Sequence, residues 1–151
     1  MTRPVETNAE GFQNLDFHDY TFVAASIQPP RQRNAGMESA VEIRLLQYCE
    51  KRTQFIRFSG CTNIRVAMDF DILAGNLPPN TSGVTASTDS NRISEFMQSQ
   101  KKDWGVRYAG TCPLIEKFAA IDDLVLFQVQ FFGGIVEVVA RQYHVETVDK
   151  G

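Results

Sequence analysis

The chain has 151 residues, 43% of them hydrophobic and 22% charged, with a formal net charge of −3. That is the make-up of one ordinary globular unit, able to bury a core without disulfides or metals. It leaves no room for a transmembrane helix, because no uninterrupted apolar run approaches the roughly 18–20 residues a span needs. Nucleic acid is an unfavoured partner. The local basic excess, seven Arg and Lys against three Glu between residues 31 and 65, is that of a solvated face rather than a dense basic stripe.

Cys49, Cys61 and Cys112 are odd in number and lack C-x-x-C spacing. With His18 and His144 as the whole histidine complement, they read as three reduced, partly buried thiols rather than a disulfide framework or zinc site. No cofactor is implied. The first ten residues lack the apolar segment of a signal peptide, so the expected location is cytoplasmic.

In chain order, residues 1–13 are polar and contain a proline, which predicts a frayed tail ahead of a single β-rich domain over 14–149. Residues 20–27 are aromatic and β-branched, a strand stopped by Pro29-Pro30. Val41, Ile43 and Leu45 alternate with Glu42 and Arg44. The phase changes at Leu45-Leu46, which calls either for a bulge there or for both faces to be covered by that point. A short strand over 54–58 precedes 63–71, the cleanest alternation, with Ile64, Val66, Met68 and Phe70 inward and Arg65, Ala67, Asp69 and Asp71 outward. Residues 75–89 read as the longest irregular segment.

One helix is expected. Asp89 or Ser90 caps it, and Ile93, Phe96, Met97 and Trp104 fall on one face. Gly105 is the expected stop, with a short strand over 106–109 to follow. Residues 124–140 form two β-rich runs around Gly133-Gly134. A two-residue turn at those glycines sets Phe131 opposite Val136 and Val129 opposite Val138. Phe127, Val129, Phe131, Val136, Val138 and Ala140 then share the inner face, and Gln128, Gln130, Glu137 and Arg141 the other. Val139, Phe132 and Ile135 interrupt the polar set, which calls for a cover on that side: the helix or a second copy of the chain. The predicted architecture is mainly β, a β-rich α+β chain. About seven to nine antiparallel strands make a sandwich or strongly bent half-barrel, with one amphipathic helix.

The chain contains no phosphate-binding glycine loop, G-x-S-x-G elbow or H-E-x-x-H. His18-Asp19 is the one dipeptide with chemistry to offer, since a carboxylate tunes an imidazole; the commoner role is hydrogen bonding at a strand start. Asp69 and Asp71 share a predicted wet face, spaced to hold a hard cation or simply to guard an edge. Trp104 is a core anchor or a ligand platform. No catalytic residue and no metal ligand set emerges, and an enzyme is the less favoured reading.

Phe17-His18-Asp19, the meander through Phe58-Ser-Gly-Cys-Thr-Asn-Ile-Arg-Val66 and the Gly-Gly hairpin together resemble a loose group of small bacterial all-β domains. These carry an N-terminal Leu/Phe-His-Asp element. Some are immunity proteins of polymorphic toxin systems, and many have no assigned function. The resemblance implies a compact β-sandwich or half-barrel without catalytic residues. Three functions follow as expectations. The first is a non-enzymatic protein-interaction module, immunity-like, whose partner is another protein or a second copy as a homodimer. The second is a small apolar-ligand carrier with a cavity between sheet and helix. The third is a hydrolase or cyclase using His18 and Asp19.

Overall fold

Among the described residues eleven elements follow one another: α1 (Pro4–Gln13), β1 (Thr21–Gln28), β2 (Ala40–Gln47), β3 (Arg52–Ser59), β4 (Asn63–Met68), α2 (Phe70–Leu73), β5 (Thr81–Ser87), α3 (Ser90–Arg107), β6 (Val125–Phe131), β7 (Gly134–Ala140) and β8 (Gln142–Asp149). The structure, a computed structural model, describes residues 4–29, 39–47, 49, 51–75, 77–107 and 123–149, with 4 and 103–107 through their backbone alone.

The strands make two four-stranded antiparallel sheets, β1-β2-β3-β8 and β4-β7-β6-β5. A two-stranded ribbon links them, because β3 runs into β4 and β7 runs into β8, while β3 pairs β8 and β4 pairs β7. At the corner Gly60 takes a φ of +65°, a conformation that side chains with a Cβ rarely adopt. Arg141 N donates to Ser59 O at 3.2 Å and Thr62 N to Val139 O at 2.9 Å, so the ribbon stays bonded as it turns. On another side, Thr21 bridges Asn80 and Phe22 N donates to Pro79 O at 2.9 Å, tying β1 to the lead-in of β5. Beyond that bridge the sheets part and the barrel stays open. A sandwich with a bent shared corner is therefore the outcome, in the class the alternation predicts.

Residues 4–13, expected as a frayed tail, are instead α1. Proline suits a helix's first turn, and Val5, Ala9 and Phe12 at i, i+4 and i+7 make a narrow apolar stripe, all three buried. α1 lies against β5, β6 and β8. Asn8 Nδ2 donates to Arg141 O at 3.1 Å, pinning it to the ribbon corner. The Phe12 ring sits 4.9 Å from Phe127, 5.1 Å from Tyr143 and 5.8 Å from Phe58, centroid to centroid. Burial raises the Tyr143 phenol above its ordinary pKa of 10.0. Across the sandwich, Phe22 stacks on Phe131 at 4.3 Å.

The β6–β7 hairpin keeps its predicted faces in a different register. Val129 pairs with Val136, Phe127 with Val138 and Phe131 with Gly134, two residues from the expected pairing. The turn is Phe132-Gly133, with positive φ, +88°, at Gly133 alone among the turn residues. That is the sign pattern of a type II turn, which asks for glycine only at its second central position. A shift of two leaves every side chain on its own face, since the strand period is two. Three other expectations are corrected. β2 is regular through Leu45-Leu46, and the bulge lies across from it, between Phe22 and Ala24 of β1. The 75–89 segment contains β5, which pairs with β6 through its backbone and shows little apolar alternation. α3 passes Gly105 and ends at Arg107, so the strand expected over 106–109 does not begin at 106; residues 108–109 lie outside the described residues. The described residues thus hold three helices where the sequence predicts one.

Buried and exposed neighbours in β6 give the first test. Val129→Asp places a carboxylate at a fully buried site and should abolish soluble expression, whereas Gln130→Lys, exposed on the opposite face, should leave the urea midpoint unchanged. Equal tolerance at the two positions contradicts the facing.

Candidate functional site

Three places bring together residues with chemistry or exposed surface: the turn before β1, the row of polar residues under α3, and the end of sheet β4-β7-β6-β5 where α2 sits.

The turn before β1 holds His18 and Asp19. His18 Nε2 lies 3.4 Å from Asp19 Oδ1, but both side chains are largely exposed, so water screens the pair. His18 N donates to Asp16 Oδ1 at 2.9 Å and Tyr20 N to Phe17 O at 3.0 Å, which closes the turn. Asp19 has φ +70°, a left-handed conformation that aspartate tolerates better than most residues. Leu15, Asp16, Phe17 and His18 face 81–84 across a shallow cleft of about 140 Å³. A drug-sized ligand pocket runs to about 300–1,000 Å³, so this one is small. Cys61 is half-buried with Sγ 3.4 Å from Phe58 O, as the partly buried thiol expected; Cys49 is free and exposed instead, and Cys112 lies outside the described residues. No group of three or more His, Cys, Asp or Glu is placed to hold a metal among the described residues.

The outer face of the second sheet carries a continuous polar row. Arg65, Glu137, Gln128 and Thr85 are successive register partners across β4, β7, β6 and β5. Arg65 Nε donates to Glu137 Oε1 at 2.8 Å, Gln128 Nε2 to Glu137 Oε2 at 2.7 Å, and Thr85 Oγ1 to Gln128 Oε1 at 2.7 Å. From α3, Arg92 Nη2 donates to Gln128 Oε1 at 3.1 Å, and the Arg65 guanidinium lies 5.1 Å from the Phe96 ring centroid. Beside this row Ile93, Phe96 and Met97 bury Leu124, Leu126 and Val139. The cover expected on this face is α3. Asp89 caps the helix, its Oδ1 accepting from Asn91 N at 2.9 Å, and Gln100 Nε2 donates to Ile64 O at 2.9 Å on the β4 edge. The Trp104 side chain lies outside the described residues; its backbone belongs to α3.

Asp69 and Asp71 do not share a strand face, because β4 ends at Met68. Asp69 is the N-cap of α2, Oδ1 accepting from Ile72 N at 3.1 Å, and Asp71 lies within the helix. A capping carboxylate satisfies a free first-turn amide, and that local bond wins over continued alternation. Phe70, predicted inward, is 75% exposed in consequence, joined by Ile72 at 44%, Leu77 at 60% and Phe132 at 41%. Asp69 N donates to Gly133 O and Phe132 N to Asn80 O, both 2.9 Å, so α2 and the hairpin tip are clamped side by side. The result is an apolar ridge, with Ile72 and Leu73 beside Gly133 of the hairpin turn, Phe70 on another side of α2, and two exposed carboxylates between. The sequence does carry a signal for it: Asp ahead of Phe70-Asp-Ile-Leu73, with Gly75 soon after, is a short capped helix.

Comparison with protein-family models, characterised proteins and solved structures finds no match to this chain. No helix among the described residues is long and apolar enough to cross a membrane.

Glu137 is nearly buried, and Arg65 is its cationic partner within the row. Removing that partner leaves a buried carboxylate with one amide contact, so Arg65→Ala should lower stability by about 2–3 kcal/mol in urea titration. Arg92→Ala, which loses a contact to a neutral amide from an exposed position, should cost under about 1 kcal/mol. Losses of the same small size for both variants would show that the row is not a coupled unit.

Proposed function

We propose that this chain is a non-enzymatic protein-interaction module that seats a partner on the α2 ridge. The observation that carries the reading is the exposure of Phe70, Ile72, Leu77 and Phe132 around one clamped hairpin tip. Fully burying a large apolar side chain is worth about 1.5–3 kcal/mol, so the four together are of hot-spot size. Asp69 and Asp71 stand exposed in the ridge, which favours a partner whose apolar socket is bordered by Lys or Arg. The resemblance to bacterial immunity proteins supplies the kind of role, occupation of a toxin's surface. A cytoplasmic location goes with it and is supported by the free, exposed thiol of Cys49.

Against the carrier reading stands the packing of Ile93, Phe96 and Met97 on Leu126 and Val139 between helix and sheet, among the described residues. A hydrolase or cyclase using His18 and Asp19 would have only that exposed, water-screened pair, 3.4 Å apart, to work with.

The test is affinity capture from lysate of the native cell with the intact chain as bait, beside the double variant Phe70→Asp/Leu77→Asp. Both positions are exposed, so the variant should keep the wild-type thermal midpoint. Wild type should retain one protein in stoichiometric amount and the variant at least about tenfold less, which is ~1.4 kcal/mol. Retention of no protein, or equal retention by both baits, overturns the reading.

A further inference from the structure

The four edges of the two sheets are not equally guarded. β8 carries His144, Glu146 and Asp149, β4 carries Arg65 and is held by Gln100 of α3, and β5 lies against α1. Charge and cover of this kind keep a strand edge from adding another strand. β1, Thr-Phe-Val-Ala-Ala-Ser-Ile-Gln, has no charged residue in its eight positions, its bulge is confined to the Phe22–Ala24 end, and Val23 and Ile27 stand 38% and 57% exposed. Its free side is occupied only at the start, by the Thr21–Asn80 bridge and the bond from Phe22 N to Pro79 O, among the described residues. At its other end Pro29 has no N–H to offer a ladder. The open length is therefore about 23–27, and its centre is Ala25.

We propose that a second copy of this chain pairs antiparallel with β1 about a two-fold axis at Ala25, joining two four-stranded sheets into one of eight strands. This register sets Ala24 opposite the partner's Ser26 and brings Ile27 of each copy beside the other's bulged Val23, covering the exposed apolar side chains at both ends of the pairing. Charge selects it. On the outer face Ala24 is the register partner of Arg44, and Ser26 that of Glu42. The row holding Arg44 then continues, over two small residues, into the row holding the partner's Glu42, whose carboxylate has Arg57 3.9 Å away on its other side and so would lie between two guanidiniums. Three strand spacings, about 14 Å, separate the two backbones, a gap that an extended arginine and glutamate close between them. An axis at Ser26 would face the Glu42 row with its own copy, and one at Ala24 would do the same to Arg44. The unguarded edge, its length and the order of its neighbouring charges all favour the same self-complementary pairing.

Sedimentation equilibrium of the full chain tests it. Wild type should be a dimer, and Ile27→Lys, which gives this edge the guard the others have, should weaken dimerisation at least about tenfold. Glu42→Arg and Arg44→Glu, both surface changes that leave the fold intact, should each weaken it, and the double variant should recover wild-type affinity. A wild-type monomer at about 100 µM, a dimer indifferent to Ile27→Lys, or a double variant no tighter than the singles overturns the proposal. The α2 ridge is not involved, so Phe70→Asp/Leu77→Asp should dimerise like wild type.

Discussion

One ring, Phe12, holds the two sheets in their arrangement. It is the buried end of a ten-residue helix and meets Phe58 of the first sheet, Phe127 of the second and Tyr143 of the connecting ribbon. Aromatic pairs at tilted and edge-on angles add about 0.5–1.5 kcal/mol each beyond the area they bury. The geometry explains how the open flank of the sandwich is covered. The β5 and β8 edges do not pair with each other, and α1 occupies the flank they leave, with Val5 and Ala9 behind Phe12. Closing the barrel would require that helix to leave.

The second sheet solves a different problem, since both of its faces are covered. Its inner face meets the first sheet, and its outer face is divided between an apolar strip under α3 and the polar row from Arg65 to Thr85. A nearly buried carboxylate is tolerable there because its two oxygens have separate donors, Arg65 on one and Gln128 on the other. Register does the rest, since four residues on four strands meet only if every pair is in phase. Such a row adds little net stability, yet a slip of β4 would part Arg65 from Glu137, and a slip of β5 or β6 would leave a hydroxyl or an amide without its partner. The same sheet ends in the α2 ridge, where the apolar side chains have no cover among the described residues.

Strong periodicity makes part of this fold legible in the amino-acid sequence. The Phe127, Val129, Phe131 and Val136, Val138, Ala140 faces and the mainly β class follow from alternation, and the Ile93-Phe96-Met97 face from the helical period. What alternation cannot supply is phase along a turn, and so the hairpin register is readable only to within two residues. α1 is hidden because three apolar residues among polar ones give a weak period, and the force that orders it is tertiary. β5 is hidden because an edge strand rich in Thr, Ser and Gly is specified by its backbone pairing with β6. Of the candidate site residues, His18 and Asp19 lie together in an exposed turn, while Asp69 and Asp71 belong to a helix that the alternating pattern runs straight through. A local capping bond decides that segment, and with it which face of Phe70 meets water.

The central claim is that α1 is a structural member joining both sheets through Phe12. Urea unfolding of Phe12→Ala, followed by far-UV circular dichroism, tests it most directly. A loss of about 3–5 kcal/mol, the cost of emptying a fully buried aromatic site, is the predicted result. A loss below about 1 kcal/mol, the size expected of an exposed side chain on a loose tail, would contradict it.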